Sequence, residues 1–250
     1  MLILLSPAKT LDLNSPFDET PSSPRFADQA AALASSAARL GPKRLSVLMG
    51  ISPALAKLNH QRFREFPEAQ ERPAIRMFAG DVYRGFDMAS ADQDTLAYAQ
   101  DHLRILSGLY GLLRPLDGVR PYRLEMGTAW APRSKRLVDY WGRRIGPAVK
   151  QEFADEGSGL LLNLASAEYF AAVKPFVPKA VRTVTPDFRV ETAKGLQFHS
   201  FTAKVARGAM ARFVCEERIE DSDSLCGFDR DGWRFDAQRS QPDAPRFVRS

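Results

Sequence analysis

Polar side chains follow two apolar stretches that the sequence predicts to be buried β-strands. Ser6 and Lys9 come directly after MLILL, while GLLLNLA contains Asn163 and leads into Ser166 and Glu168. Ligands of open α/β sheets bind beyond the carboxyl ends of the strands, where loops and helix N-termini present hydrogen-bond donors. If the two strands are parallel neighbours, these five side chains share one cleft. The alternative is structural, with Ser166 capping a helix and Asn163 bonding to local backbone.

The segment SFTAKVARGAMARF (200–213) predicts an amphipathic helix with one basic side. At about 100° per residue, Lys204, Arg207 and Arg212 lie on that side together with Gly208. These cations can bind phosphate, although an ordinary solvated basic face explains the charges equally well. A glycine inside a helix costs about 1 kcal/mol relative to alanine. We therefore expect a close approach to the backbone at Gly208, made either by the ligand or by another element of the protein.

The block LSGLYGLLRPLDGVRPYRLEMG (106–127) combines closely spaced glycines with arginines. Gly108 and Gly111 bracket two residues, a spacing that could form a hairpin between two helices with its backbone N–H groups facing DNA phosphates. A GxxG pair also marks tight packing or a bend in a strand. Arg114, Arg120 and Arg123 add positive charge to the block. Arginine suits forked contacts with phosphate better than lysine does.

Composition favours a single domain with an anionic partner. The 250 residues are 44% hydrophobic, which is ample for one core, and the formal net charge is +5. No apolar run approaches the roughly 18 to 20 residues of a membrane span, and MLILL is too short for a signal peptide. We therefore expect a cytoplasmic protein without a membrane partner. Two cysteines without a CxxC pair and three scattered histidines predict no stable metal site and no cofactor.

Helical and strand patterns alternate along the chain and predict an α/β fold, a single domain over residues 1–250 with a mixed β-sheet flanked by helices. Helices are expected over 27–40, 52–66, 92–102, 137–155 and from 200 onwards. Strands are expected at MLILL, at GLLLNLA, on both sides of a Lys194–Gly195 turn, at YRLEMG (122–127), and at AIRMFAGDVYRG (74–85) as a strand or hairpin edge. Residues 13–26 are predicted to be a surface loop and 237–250 a partly ordered C-terminal tail.

Five blocks of the sequence, in this order, resemble the signature blocks of the YaaA family of bacterial peroxide-stress proteins: MLILLSPAKT, FAGDVYRG, LSGLYGLLRPLDGVRPYRLEMG, NLASAEYF and FTAKVARGAMARF. The resemblance extends from Met1 to about Asp236. It implies a cytoplasmic protein that helps survival of hydrogen peroxide and is associated with limiting free intracellular iron. It also implies an α/β domain of unusual topology, with a positively charged cleft and a helix-hairpin-helix-like element linked to DNA binding.

Family motif positions fall on residues of several chemical types. They are Ser6, Lys9, Asp81, Tyr83, Tyr110, Arg114, Arg123, Glu125, Asn163, Ser166, Glu168, Lys174, Lys204, Arg207 and Arg212. The predicted DNA- or phosphate-binding residues are Lys9, Gly108, Gly111, Arg114, Arg120, Arg123, Lys174, Lys204, Arg207 and Arg212. The predicted polar groups of the cleft are Ser6, Tyr110, Asn163 and Ser166.

Two functions of different classes fit these residues. The first is a monomeric stress protein that binds double-stranded DNA through a basic cleft, largely without reading sequence. The second is an enzyme that acts on a nucleotide or a nucleic-acid base. There Lys9, Lys204 or Arg207 would hold phosphate and Glu125 or Glu168 would transfer protons, with Lys9 a further catalytic candidate. Clustered ligands for direct iron binding are absent from the sequence pattern.

Overall fold

The computed structural model describes every residue from Met1 to Ser250. The α-helices are α1 (Ala27–Ala38), α2 (Gly41–Met49), α3 (Pro53–Arg64), α4 (Ala74–Met77), α5 (Asp81–Phe86), α6 (Gln93–His102), α7 (Leu137–Glu156), α8 (Ala167–Phe170) and α9 (Ser200–Glu217). The strands are β1 (Leu2–Leu5), β2 (Arg72–Pro73), β3 (Leu103–Ser107), β4 (Gly111–Leu113), β5 (Gly118–Val119), β6 (Leu160–Asn163), β7 (Arg182–Val184), β8 (Asp187–Thr192), β9 (Gly195–Gln197), β10 (Trp233–Phe235) and β11 (Arg246–Arg249). None of the helices combines the length and the apolar composition that a bilayer span requires.

The main sheet has five strands in the order β4-β3-β1-β6-β7. Strands β3, β1, β6 and β7 are parallel, and β4 runs antiparallel to β3. Every residue of β1 is buried, as is usual for parallel strands that helices cover on both faces, and both α7 and α9 contact it. The predicted α/β fold with a mixed sheet is confirmed. We call the edge formed by the ends of β1, β3, β6 and β7 the carboxyl edge.

The C-terminal segment that was expected to be a tail is part of a second sheet, of order β10-β11-β8-β9. Strand β11 lies between β8 and β10, and Phe247 is fully buried. Its ring packs with those of Phe188 and Phe228, at centroid distances of 5.6 Å each. The Pro-rich composition before β11 predicted a tail because these aromatic partners are distant in sequence.

Helices α5 and α9 pack with their backbones almost in contact. A Cβ atom on Gly208 would lie 1.8 Å from the carbonyl oxygen of Val82, and one on Gly85 would lie 1.9 Å from that of Val205. Glycine is therefore required on both helices, and Gly208 faces α5 and not a ligand. The prediction of a strand over 74–85 is wrong, since these residues form α4 and α5. Gly85 serves this close helix packing, whereas Gly80 is the residue before α5 and packs against Ala8.

The structure does not confirm a helix-hairpin-helix at Gly108 and Gly111. Both glycines are buried, and they lie at the turn of the hairpin between β3 and β4, with Ser107 paired to Gly111. The predicted strand at 122–127 is not formed; residues 122–125 are irregular and residues 126–127 lie in a turn. Two consecutive helices joined by a short turn occur at α2 and α3, where Gly50 has φ +59° and the Ser52 side chain accepts a bond from the Leu55 N–H.

Candidate functional site

Ser6, Asn163 and Ser166 come together at the carboxyl edge, because β1 and β6 are parallel neighbours with Leu4 beside Asn163. The Ser166 N–H donates to Ser6 Oγ at 2.9 Å, and the two hydroxyl oxygens are 3.4 Å apart. Asn163 Oδ1 accepts from the Ala165 N–H at 3.2 Å. Ser166 is the residue before α8, but its hydroxyl makes no capping bond. These side chains thus join the strand ends to one another.

Glu125 is fixed at the same edge between two cations. Its Oε1 accepts from Arg123 Nε at 3.0 Å and lies 3.4 Å from Lys9 Nζ. The Glu125 side chain is 14% exposed, whereas that of Lys9 is 65% exposed. Gly108 allows this placement, since a Cβ there would lie 2.0 Å from the Leu124 carbonyl oxygen. The carboxylate is therefore held in place while the ammonium group of Lys9 reaches solvent.

Glu168 lies in the first turn of α8 and holds the segment that carries Glu125. Its Oε1 accepts the N–H of Gly127 at 2.9 Å. A Cβ on Gly127 would lie 3.0 Å from the same oxygen, so a side chain there would displace the Glu168 carboxylate slightly. The Glu168 side chain is otherwise exposed. Both candidate carboxylates thus belong to one connected part of the surface.

Lys204 on the basic side of α9 lies near this region, whereas Arg207 lies near Asp187 of β8. Lys204 Nζ lies 3.6 Å from Asp81 Oδ2 at the start of α5. Next to Asp81, the glycine at position 80 packs against the loop after β1. Arg207 is partly buried and forms no ion pair. Burial lowers the pKa of its guanidinium group, and the charge of Asp187 opposes this shift. Arg207 therefore has no anionic partner in the protein, while Lys204 is exposed beside Asp81.

Arg212 occupies a different place from Lys204 and Arg207. Its guanidinium group donates to the carbonyl oxygens of Phe86 at 3.1 Å and Asp87 at 2.6 Å, and to that of Ser90 at 3.1 Å. It also pairs with Glu216. All three of its nitrogen atoms donate within the protein, so this residue ties α9 to the end of α5. These contacts do not support the phosphate-binding role predicted for Arg212.

Arg114 and Arg120 are both paired within the protein. Strand β4 runs antiparallel to β3 and so carries Arg114 to the opposite edge of the sheet, where it bonds to Asp117 at 3.1 Å. Arg120 pairs with Glu71 at 3.1 Å and lies over the ring of Phe66. The arginines of this block therefore do not form one patch.

Tyr110 and Gly111 are buried within the fold, whereas Lys174 is exposed. Tyr110 is buried, and its hydroxyl accepts the N–H of Arg120 at 2.9 Å. Gly111 has φ +73°, and a Cβ there would lie 2.7 Å from the ring of Trp141. Lys174 is exposed in a 3₁₀ turn, without an ion pair. Neither Tyr110 nor Gly111 can contact a ligand at the surface.

A basic groove that was not predicted lies between the end of α1 and the start of α7. Its cavity has a volume of about 940 Å³. The cations that line it are Arg39, Arg133, Lys135, Arg143 and Arg144, and the single acidic lining residue is Asp139, which pairs with Arg136. In the sequence, the basic runs RSKR (133–136) and GRR (142–144) could have indicated this groove. They meet because the loop before α7 folds back beside its first turns.

A second cavity adjoins the basic groove across α1. It has a volume of about 590 Å³, and Arg39 lines both. Its other basic or ionisable lining residues are His60, Arg64 and Arg120. Helix α3 supplies His60 and Arg64, so the α2–α3 hairpin borders this adjoining cavity. The positive surface therefore continues from α7 across α1 to α3.

Comparison with known proteins decides the family. The family described as peroxide stress protein YaaA matches residues 1–239 of the chain. The chain belongs to the YaaA family. The match ends where the family resemblance was expected to end, close to Asp236. The five sequence blocks therefore identified the family correctly.

Similar relatives in the YaaA family carry the name UPF0246 protein. The relative from Rhizorhabdus wittichii is 52% identical over 252 residues, and the match covers 100% of both chains. Relatives from Roseobacter denitrificans and Ruegeria pomeroyi are 46% and 44% identical over 257 and 254 residues. These matches cover 100% of this chain and 98% of each relative. The family assignment thus applies to the whole fold.

Neither cysteine of this YaaA-family protein has the environment of a peroxide-reactive thiol. Cys215 is buried in α9, and burial raises its pKa to about 12. Burial and the nearby Asp223 raise the pKa of Cys226 as well. The thiolate is the nucleophilic form, so both groups are held in their less reactive state. No three His, Cys, Asp or Glu side chains are grouped to hold a metal ion.

Proposed function

We propose that this peroxide stress protein binds duplex DNA through the basic groove and so shields it from oxidative damage. The observation that carries the proposal is the charge of the groove. Arg39, Arg133, Lys135, Arg143 and Arg144 line one cavity, and none of them forms an ion pair within the protein. Unpaired cations in one groove match the closely spaced phosphates of a nucleic-acid backbone, and each phosphate neutralised releases condensed counterions.

The shape of the surface supports a polymer more than a small molecule. The adjoining cavity extends the positive surface across α1 to the α2–α3 hairpin. Lys9, Asn163, Glu168 and Lys204 line neither the basic groove nor the adjoining cavity. Small ligands usually occupy enclosed clefts that bury most of their surface. An extended open basic surface favours a long anion.

The basic groove lies beside the carboxyl edge. The Leu137 N–H bonds to the Thr128 carbonyl oxygen at 3.0 Å, and Trp141 Nε1 donates to the Gly108 carbonyl oxygen at 2.8 Å. These bonds place the first turns of α7 next to the loop that follows Glu125. Backbone phosphate contacts carry no sequence information, so binding is sequence-independent. In this proposal, iron-driven damage is limited by covering DNA and not by binding iron.

A salt titration tests the proposal directly. A fluorescein-labelled duplex of mixed sequence is titrated with the full-length protein at several salt concentrations, and anisotropy reports the dissociation constant. The slope of log K against log salt is about −0.9 for each phosphate neutralised. Five free cations in the basic groove predict a slope of about −3 to −5. Absence of duplex binding at low salt, or a slope near zero, would rule the proposal out.

An enzyme acting on a nucleotide or nucleic-acid base is the second candidate. The observation that favours it is the fixed position of Glu125 between Lys9 and Arg123. Backbone binding alone does not require a partly buried carboxylate at a strand edge. In this alternative Lys204 and Arg207 hold phosphate, while Glu125 or Glu168 transfers a proton. A substitution of Glu125 distinguishes the two functions, because only the enzyme requires its carboxylate.

A further inference from the structure

Two aromatic side chains are exposed at the start of α9. Phe198 is 50% exposed and Phe201 is 52% exposed. The other large apolar side chains at the surface are aliphatic and lie elsewhere, at Leu13, Val47 and Leu58. Burying a phenylalanine would gain hydrophobic free energy. Two exposed rings within four residues therefore form a candidate contact surface.

A guanidinium group lies over each of these rings. Arg84 of α5 lies 5.4 Å from the centroid of the Phe201 ring, and Arg189 of β8 lies 5.8 Å from that of Phe198. Such contacts are attractive because the face of an aromatic ring is electron-rich. The half-exposure of each side chain shows that the remaining ring surface is open. Elements α5 and β8 thus each place an arginine over a ring at the start of α9.

Charge around the rings favours an anionic partner. Lys204 is exposed and follows Phe201 by about one turn, and the first turn of α9 contains no acidic residue. A helix N-terminus carries partial positive charge. The acidic groups nearby are Asp81, which faces Lys204 at 3.6 Å, and Asp187, which pairs with Arg189 at 2.8 Å and with a second arginine from β11. Arg84 forms no ion pair and is exposed.

We propose that Phe198, Phe201, Arg84, Arg189 and Lys204, which we call the aromatic patch, bind unpaired bases of single-stranded DNA by stacking. The inference rests on the proposed DNA-binding function. It adds stacking on bases to the phosphate contacts of the basic groove. Stacking requires unpaired bases, because the faces of paired bases in a duplex are covered by their neighbours. Aromatic side chains with interleaved cations are the arrangement by which proteins bind single strands without sequence preference. The patch therefore makes the protein favour DNA that contains unpaired bases.

The test compares two DNA forms and one double variant. Fluorescein-labelled oligothymidine and a labelled duplex of equal length are titrated with wild type and with Phe198→Ala/Phe201→Ala. Stacking on each ring contributes enough to change affinity by about fivefold to 160-fold. We expect the double variant to lose at least tenfold in affinity for oligothymidine and less than twofold for the duplex. Phe201→Trp should retain oligothymidine binding, because indole also stacks.

Leu13→Ala is the matched control, since it removes an exposed apolar side chain from a surface loop. It should leave both affinities unchanged. Thermal unfolding of the double variant should match wild type, because both rings are half-exposed in the folded protein.

Several results would overturn the inference. Unchanged oligothymidine affinity in the double variant, with duplex binding intact, would refute the aromatic patch alone. An equal loss for both DNA forms would show that the rings contact DNA without selecting unpaired bases. Binding to anionic phosphatidylserine vesicles that is lost in the double variant, with oligothymidine affinity unchanged, would assign the patch to membranes. Failure of wild type to bind the duplex would instead refute the proposed function itself.

Discussion

Gly208 of α9 lies directly against Val82 of α5. A Cβ atom on Gly208 would be only 1.8 Å from the Val82 carbonyl oxygen. Gly85 makes the reciprocal contact with α9. This packing brings Lys204 to Asp81 and Arg84 to Phe201. The glycine on the basic side of α9 therefore positions the charged groups around it and is not itself a ligand contact.

Replacing Gly208 with alanine should destabilise the fold. The added methyl group collides with backbone atoms that cannot move independently, and such overpacking costs up to about 3 kcal/mol. Urea unfolding followed by circular dichroism measures the change. Gly142→Ala in α7 is the control, because a Cβ there meets only Phe176 at 3.4 Å. Equal stability of Gly208→Ala and wild type would contradict the packing described here.

Arg212→Ala should lower stability without lowering DNA affinity. The substitution leaves the carbonyl oxygens of Phe86, Asp87 and Ser90 without a charged donor. Hydrogen bonds to charged groups contribute about 1.5 to 3 kcal/mol, so we expect a loss of about 2 to 3 kcal/mol in urea unfolding. The salt slope of duplex binding should stay at the wild-type value. A slope reduced by about one unit would show that Arg212 contacts phosphate after all.

Removing two cations of the basic groove should weaken duplex binding and reduce its salt dependence. Lys135 and Arg143 are exposed and free of ion pairs, so Lys135→Ala/Arg143→Ala should not affect folding. The salt slope should fall by about 1.8 if each residue neutralises one phosphate. Anisotropy titrations at several salt concentrations give this slope. Arg218→Ala, which removes an exposed cation paired with Asp94 outside the groove, is the control. Similar losses in both variants would argue for a diffuse charge effect.

Glu125→Gln separates DNA binding from catalysis. The amide keeps the size of the side chain but loses the charge that pairs with Lys9 and Arg123. Under the DNA-binding function, duplex affinity and survival of hydrogen peroxide should both be retained in cells that carry only the variant. Loss of survival with intact folding and intact duplex affinity would favour the enzyme. Glu168→Gln is the companion variant, since it tests the other carboxylate of the same region.

Cys215 should resist thiol reagents in the folded protein. Because burial raises its pKa to about 12, the protonated form predominates at pH 8 and little thiolate is present. In Cys226→Ser, Ellman's reagent at pH 8 should release almost no thionitrobenzoate until urea is added. Release of one equivalent within seconds from the native variant would show that the Cys215 thiol is accessible and reactive.

Local patterns were sufficient for the long helices and the buried strands. The proline after Ser52 and the alanine-rich run before Gly41 predicted α3 and α1, because helix ends depend on neighbouring residues. The apolar runs predicted β1 and β6 for the same reason. Patterns failed at α4, α5 and the block 106–127, where the same glycines suit a turn, a bend or close packing. Only contacts with distant residues distinguish these possibilities.

The sequence by itself determined the family, the α/β class and the residues that follow β1 and β6, since these depend on order along the chain and on apolar periodicity. Tertiary structure alone decided which charges remain free. Arg212 and Arg114 are cations like Lys204 and Arg143 in the sequence, but folding gives the first two internal partners and leaves Arg143 unpaired. The availability of a charge depends on the groups that packing places within a few ångströms of it. Those groups come from distant parts of the chain.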